Sequence, residues 1–175
     1  MADNKTAQEY AMERARQKRS MDYLNMFKEN EGYRTKVYKD TKGNRSVGIG
    51  FNLEDEGNKQ FLKKAGISLD EVLGGRELTD KEVIKLYNHS LTQAFKDAQQ
   101  FDPQFNKRPE TVKKAIVDMA FNLGLTKLNQ FKGMKAALSQ NDYKMAADEM
   151  VDSNWYTQVK TRGPRTVKLM AAAAR

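Results

Sequence analysis

The 175-residue chain has no cysteine, a single histidine (His89) and only three prolines. Without cysteine there is no disulfide framework, no thiolate zinc or iron–sulfur site, and no thiol nucleophile. With one histidine, a zinc site would have to rest mostly on carboxylates, against that metal's ligand preference. No G-x-S-x-G elbow accompanies His89, so the serine-hydrolase arrangement is missing. Walker and G-x-G-x-x-G phosphate loops are missing as well. The chain also lacks any long apolar run. Its first residues, MADNKTAQEYAMERARQKRS, read neither as a secretory signal nor as a membrane span, and synthesis in the cytoplasm is expected. Chemistry is left to carboxylates, hydroxyls and amides, with no metal or organic cofactor expected.

What is present is charge. Lys and Arg number 31 against 23 Asp and Glu, a net charge of +8, with 39% hydrophobic residues. At 20.0 kDa this is the size of one domain, or of one domain in two lobes. The composition is that of a helix-leaning globular protein, and its sign favours a polyanionic partner: nucleic acid, an anionic membrane surface or an acidic wall polymer. A solvated basic surface without a specific partner fits the same numbers.

Along the chain, residues 1–20 form a polar, basic extension, expected to be mobile, and Ser20 reads as the N-cap of a helix over about 21–31. Gly32 stops it. Two β-branched and aromatic segments, 34–38 and 46–51, flank the turn cluster Asp40–Asn44 and predict a hairpin, with a short third strand near 52–54. The rest reads as helical. Short helices are expected at 59–65 and after Ser68, and Thr79 with Glu82 forms a capping box. The stripe Val83, Leu86, Tyr87, Leu91, Ala94, Phe95, Ala98 then predicts a helix of about twenty residues. Further helices are expected from Val112 to Gly124 and over 131–138, 142–151 and 164–174. The implied organisation is a small lobe at about 21–78, a joining helix at about 79–100 and a helical lobe at about 101–175. The nine methionines read as core filler, Trp155 as a core anchor, and His89 as a boundary residue. Residues 153–175 carry five basic side chains (Lys160, Arg162, Arg165, Lys168, Arg175) and no acid: a grip on an acidic polymer, or a solvated face.

Glu31 ends the first helix, Asp40 lies on the hairpin turn, and Ser46 opens the second strand. Two carboxylates and a hydroxyl held this way suit glycosidic cleavage, in which one acid protonates the leaving oxygen and a second group handles water or the developing positive charge. Tyr23, Phe27 or Tyr38 could shield such an acid. Spacing alone does not separate this from structural carboxylates.

The segment Met26–Gly50, with Glu31, eight residues, Asp40, five residues, Ser46, and with E-G-x-R, Y-K-D-T-x-G and G-I-G around them, resembles the active-site segment of the T-even phage lysozyme family. Leu78–Gln100 resembles that family's interlobe helix, Phe121–Gly124 its F-x-x-G helix end, and Asn154–Gln158 with Arg162 and Arg165 its W-Y-x-Q…R…R segment. The similarity spans about residues 21–170. It implies an α+β, mostly helical, two-lobed lysozyme-like fold. It implies Glu31 as general acid, Asp40 orienting or activating water or stabilising the transition state, and Ser46 positioning the water. It further implies Gly50, Phe51, Leu53, Phe121 and Asn122 lining the glycan cleft, and Arg34 as a structural partner near the acid. Three departures stand out. Ser46 replaces the usual Thr and is less locked in rotamer. Phe51 and Ser90 stand where relatives can carry a His–carboxylate pair, and residues 1–20 are additional.

The expected activity is inverting hydrolysis of the β-1,4 bond between N-acetylmuramic acid and N-acetylglucosamine by a phage endolysin lysing its host. The expected partner is bacterial peptidoglycan, with no specific nucleic acid, no transmembrane segment and a monomeric state. The enzyme would act on the wall in the periplasm after release, or be carried in the virion. The alternatives are a virion- or tail-associated lysozyme and a non-catalytic wall-binding protein on the same fold. A lytic transglycosylase is a narrower rival, opposed by Asp40.

Overall fold

The computed structural model describes residues 5–174, which form two compact units that divide between His89 and Ser90. None of its helices, among the described residues, is long and apolar enough to cross a membrane.

The first unit opens with α1 (Ala7–Glu31), a single 25-residue helix. This corrects the expected start near residue 21, with Ser20 as the N-cap. The N-cap is Thr6, whose hydroxyl accepts the Glu9 N–H (3.2 Å) while the Glu9 carboxylate accepts the Thr6 N–H (2.6 Å). Ser20 is mid-helix and donates instead to Asn88 Oδ1 (2.6 Å), and its carbonyl accepts from the Tyr87 hydroxyl (2.9 Å). Only the C-terminal half of α1 is packed: Tyr23 and Phe27 are buried, whereas residues 5–18 are exposed on every face. Gly32, at φ 78°, ends the helix.

Three antiparallel strands follow, β1 (Arg34–Lys39), β2 (Arg45–Gly48) and β3 (Phe51–Asn52), in the order β1-β2-β3. The third strand thus pairs one residue earlier than expected. Val47, Ile49, Phe51 and Leu53 enter the core with Phe27. Two short helices cover this layer: α2 (Glu56–Lys64), capped by Asp55, and α3 (Leu69–Leu73), capped by Ser68.

The helix α4 (Asp80–Phe101) starts at the expected capping box, with Glu82 N–H on Thr79 Oγ1 (3.2 Å) and Thr79 N–H on Glu82 Oε2 (2.8 Å). Its 22 residues span about 33 Å and run from the first unit into the second. Every residue of the predicted stripe, from Val83 to Ala98, is buried. His89 is half-buried, its ring stacked on Phe61 with centroids 3.8 Å apart.

The second unit is helical: α5 (Glu110–Leu128), α6 (Lys132–Ser139), α7 (Tyr143–Val151), α8 (Asn154–Gln158) and α9 (Arg162–Ala171). Gly124 breaks α5 with φ 72°, so the expected stop there is a kink after which one more turn follows. The sequence reading missed α8 altogether. Trp155 is a core anchor, 4% exposed, edge-on to Phe131 at 6.3 Å. The methionine expectation holds only for part of the set: Met119, Met134, Met150 and Met170 are fully buried, but Met12, Met21 and Met145 are exposed. The basic C-terminal face is also corrected. Arg162 is 5% exposed and paired with Asp118 (2.7 Å), so it is part of the core.

Asp97 gives a pH-dependent prediction. It is 7% exposed and accepts from Gln93 Nε2 (3.0 Å). Burial raises its carboxyl above the ordinary value of 3.8, and the Gln93 amide and the Leu125 backbone only partly offset that. A raised acid is best accommodated protonated, so its contribution to stability is fully present below the unfolded value and lost as pH rises through the folded one. Asp97→Asn should therefore raise Tm by about 2–4 °C at pH 7, and the gain should vanish in scans below about pH 3.8.

Candidate active site

All but two of the expected site residues belong to the first unit. Glu31 is the last residue of α1, half-buried, where Gly32 turns the chain into β1. Its carboxyl lies directly on Gly50. A Cβ on Gly50 would sit 2.7 Å from Glu31 Oε2 and 2.8 Å from Cδ, and Gly50 itself has φ 63°. Only glycine supplies both the left-handed backbone and the bare surface needed for this approach.

Asp40 follows the last residue of β1 and organises its own turn. Its Oδ1 accepts the backbone N–H groups of Lys42 (2.8 Å) and Asn44 (2.9 Å), and Oδ2 accepts from Asn44 Nδ2 (3.3 Å). The backbone closes the same loop through Asp40 N–H to Asn44 O (2.9 Å) and Gly43 N–H to Asp40 O (3.0 Å). This is an Asx turn that fixes the carboxylate from within the turn itself.

Ser46 is 2% exposed in the central strand, paired with Tyr38 on β1 and Asn52 on β3. Residues directly opposite one another share a face of the sheet, so Tyr38, Ser46 and Asn52 form one row. Arg34 lies with its guanidinium carbon 4.9 Å from the centre of the Tyr38 ring. Burial pushes the Tyr38 phenol up. The Glu31 charge acts in the same direction, Arg34 opposes it, and Asp40 adds to it. Tyr38 therefore sits among the three expected residues, although the sequence suggested it only as one of three shields. Counting the register outward from the 40–44 turn, which places Lys39 opposite Arg45 and Tyr38 opposite Ser46, is the signal that points to it.

The remaining expected residues divide. Phe51 and Leu53 are each 1% exposed, so their side chains are core, and only their backbone can face a ligand. Phe121 and Asn122 lie on α5 in the second unit, where Asn122 Oδ1 accepts from Trp155 Nε1 (3.1 Å). A cavity of about 760 Å³ in the second unit, bordered by Pro109, Thr111, Asn141, Tyr143 and Lys144, includes none of the expected site residues. Among the described residues, no group of three or more His, Asp or Glu side chains is placed to hold a metal ion.

The chain is 28% identical over 160 residues to probable T4-type lysozyme 1 of Dictyostelium discoideum, covering 83% of this chain and 91% of that protein. With probable T4-type lysozyme 2 of the same organism it shares 24% over 153 residues, 82% and 90% of the two chains. With the pre-baseplate central spike protein Gp5 of Enterobacteria phage T4 it shares 27% over 161 residues, 86% of this chain but only 28% of the spike protein's length. The pattern of the phage lysozyme family matches residues 28–170, which contain Glu31, Asp40 and Ser46. The chain belongs to the phage lysozyme family and is a lysozyme-like hydrolase.

Proposed function

We propose that the protein is an N-acetylmuramidase that cleaves the β-1,4 bond between N-acetylmuramic acid and N-acetylglucosamine in peptidoglycan, with inversion. The observation that carries this reading is the glycine-floored seat of the Glu31 carboxyl beside a sheet bearing Ser46, with Asp40 fixed on the adjoining turn. Glu31 gives its proton to the glycosidic oxygen as the bond to C1 breaks, and N-acetylglucosamine leaves with a free 4-hydroxyl. Asp40 takes a proton from the attacking water, whose oxygen bonds to C1 on the opposite face of the ring, while the Ser46 hydroxyl orients that water. Asp40 suits the water-handling role because three hydrogen bonds within its own turn hold it in place. The +8 charge favours the acidic wall polymer, and a monomer suffices.

Digestion of purified peptidoglycan tests each element. The expected products are muropeptides with reducing muramic acid ends, the α anomer appearing first in NMR spectra taken before mutarotation. A first-formed β anomer would indicate retention, 1,6-anhydro ends a transglycosylase, and reducing glucosamine ends a different bond.

Release as an endolysin is one route to the wall. Carriage in the virion is the second reading, and the likeness to a phage spike protein favours it. In that reading the exposed first turns of α1, with Arg14, Arg16 and Lys18, are a docking arm set before a lysozyme domain of about residues 21–175. Removing residues 1–18 should then abolish incorporation into particles while leaving wall hydrolysis intact. Unchanged incorporation sinks the docking arm.

A further inference from the structure

The cavity in the second unit takes no part in the proposed hydrolysis, yet its rim is held as firmly as a binding site requires. It encloses about 760 Å³, within the usual span for small-molecule sites, and is bordered by Thr111, Gln140, Asn141 and Tyr143 together with Pro109 and the end of α9. Asn141 is gripped by Arg108, which is 4% exposed. Two arms of that guanidinium are spent on Asp102, Nε on Oδ2 (2.7 Å) and Nη2 on Oδ1 (3.0 Å). The third, Nη1, donates to Asn141 Oδ1 (2.6 Å). A guanidinium can only donate, so the atom it meets is the amide oxygen, and the Asn141 NH₂ keeps its two donors for another partner. The backbone there is fixed as well. Asn141 stands in the left-handed region at φ 56°, with its N–H on Leu138 O (3.0 Å) and the next N–H, of Asp142, on Ala137 O (3.0 Å). A polar group locked in this way loses little freedom when a ligand arrives.

The two charges on the rim are already answered. Asp142 Oδ1 caps α7 by accepting the Met145 N–H (2.9 Å), and Lys144 Nζ pairs with Asp148 (2.9 Å). What is left for a ligand is neutral: two amides, a hydroxyl and a phenol, set against the Pro109 ring and the methyls of Ala172–Ala174. Neither an anion nor a cation meets an unmatched countercharge among these side chains. An extended peptide finds no strand edge to pair with, because the described part of the second unit is helix and loop throughout. Neutral donors and acceptors beside an aromatic ring and apolar patches suit a ring that bears hydroxyl and acetamido groups and has apolar C–H faces.

We propose that this cavity is a second, non-catalytic glycan site that takes an N-acetylhexosamine residue. The Asn141 amide donates to an acetamido or hydroxyl oxygen, Gln140 and Thr111 serve the neighbouring hydroxyls, and the Tyr143 ring takes an apolar face of the sugar. The binding itself does not depend on the muramidase reading. Its use does: a second hold on the strand being cut makes rebinding intramolecular and keeps the enzyme on the wall.

Titration with the tetramer of N-acetylglucosamine, followed by ¹⁵N NMR, tests the site by position. The side-chain amide resonances of Asn141 and Gln140 should shift and saturate together. Asn141→Gly keeps the left-handed turn and removes the amide, and should weaken the response at Gln140 about tenfold, the worth of one or two lost hydrogen bonds. Gln140→Ala, at an exposed position, should weaken the response at Asn141 by a similar factor with Tm unchanged. Resonances that do not respond to the sugar overturn the proposal. So does a response to inorganic phosphate or to a synthetic stem tetrapeptide that the sugar does not reproduce, which would assign the cavity to an anion or to a peptide. Equal sugar affinity in wild type and both variants overturns it too. Saturable binding at Asn141 and Gln140 in a protein that fails to cut peptidoglycan would remove the muramidase reading and leave the glycan site standing.

Discussion

Glu31→Gln should lower turnover of peptidoglycan by about 10²–10⁴-fold, the usual worth of a positioned general acid, while Tm stays level or rises. The amide has the same shape as the carboxyl it replaces, so it fits the seat on Gly50 that tolerates no added atom. It cannot deliver the proton that the leaving oxygen needs. The stability side of the prediction comes from where the residue stands. Glu31 is the last residue of α1, at the end where unpaired carbonyls place the negative pole of the helix. An anion there is unfavourable, so removing the charge should return about 0.3–1 kcal/mol. Parallel lysis assays and thermal scans decide the matter. Equal lysis by the two proteins removes Glu31 from the reaction, and a loss of activity accompanied by a clear fall in Tm would show damage to the fold.

Where the structure was readable from sequence, the signal was local. The Thr79–Glu82 box, the Ser68 cap and the Val83–Ala98 stripe each lie within a few turns of helix, and all are found in place. The hairpin was readable because its turn residues lie together and Asp40 closes the turn by itself. The first turns of α1 were lost for a physical reason. Residues 7–18 have no apolar face, so periodicity is silent, and the helix rests on good helix formers and on the Thr6–Glu9 box. The site itself was readable as residue types at a spacing, with the family resemblance giving them roles. Its geometry was not, because what places Glu31 is the absence of a Cβ nineteen residues away, at Gly50. Phe51 and Leu53 show the opposite error. Positions next to a site in sequence need not present their side chains to it, and in a strand pairing with a buried neighbour they turn into the core.

The largest effect on stability should come from a residue the sequence reading passed over. Asp118→Ala is expected to cost about 3–5 kcal/mol, the usual penalty for stripping one partner from a buried ion pair. For a chain of this size that lowers Tm on the order of 10 °C. Asp118 is fully buried on α5. Its carboxylate takes Arg162 Nη2 on Oδ1 (2.7 Å), and on Oδ2 it takes Arg162 Nε (3.2 Å) and the Thr166 hydroxyl (2.6 Å), tying α9 to α5. Forty-four positions separate the pair, so no local pattern reveals it, and Arg162 reads in isolation as one more surface cation. Alanine would take the Asp118 carboxylate away from a guanidinium that is 5% exposed, while the Thr166 hydroxyl would keep the Arg162 carbonyl as acceptor (2.9 Å). The penalty belongs to taking a carboxylate from beside a buried guanidinium and not to the bond itself, which gives the test its second arm. Asp118→Leu combined with Arg162→Met removes both charges and fills the space with apolar atoms, and should recover most of the loss. Calorimetry on the single and double variants separates the two accounts. If the single variant costs less than about 1 kcal/mol, the pair behaves as a solvated surface bridge. If the double variant is as unstable as the single one, the network contributes through its geometry, and α9 depends on the bidentate contact to hold its place on α5.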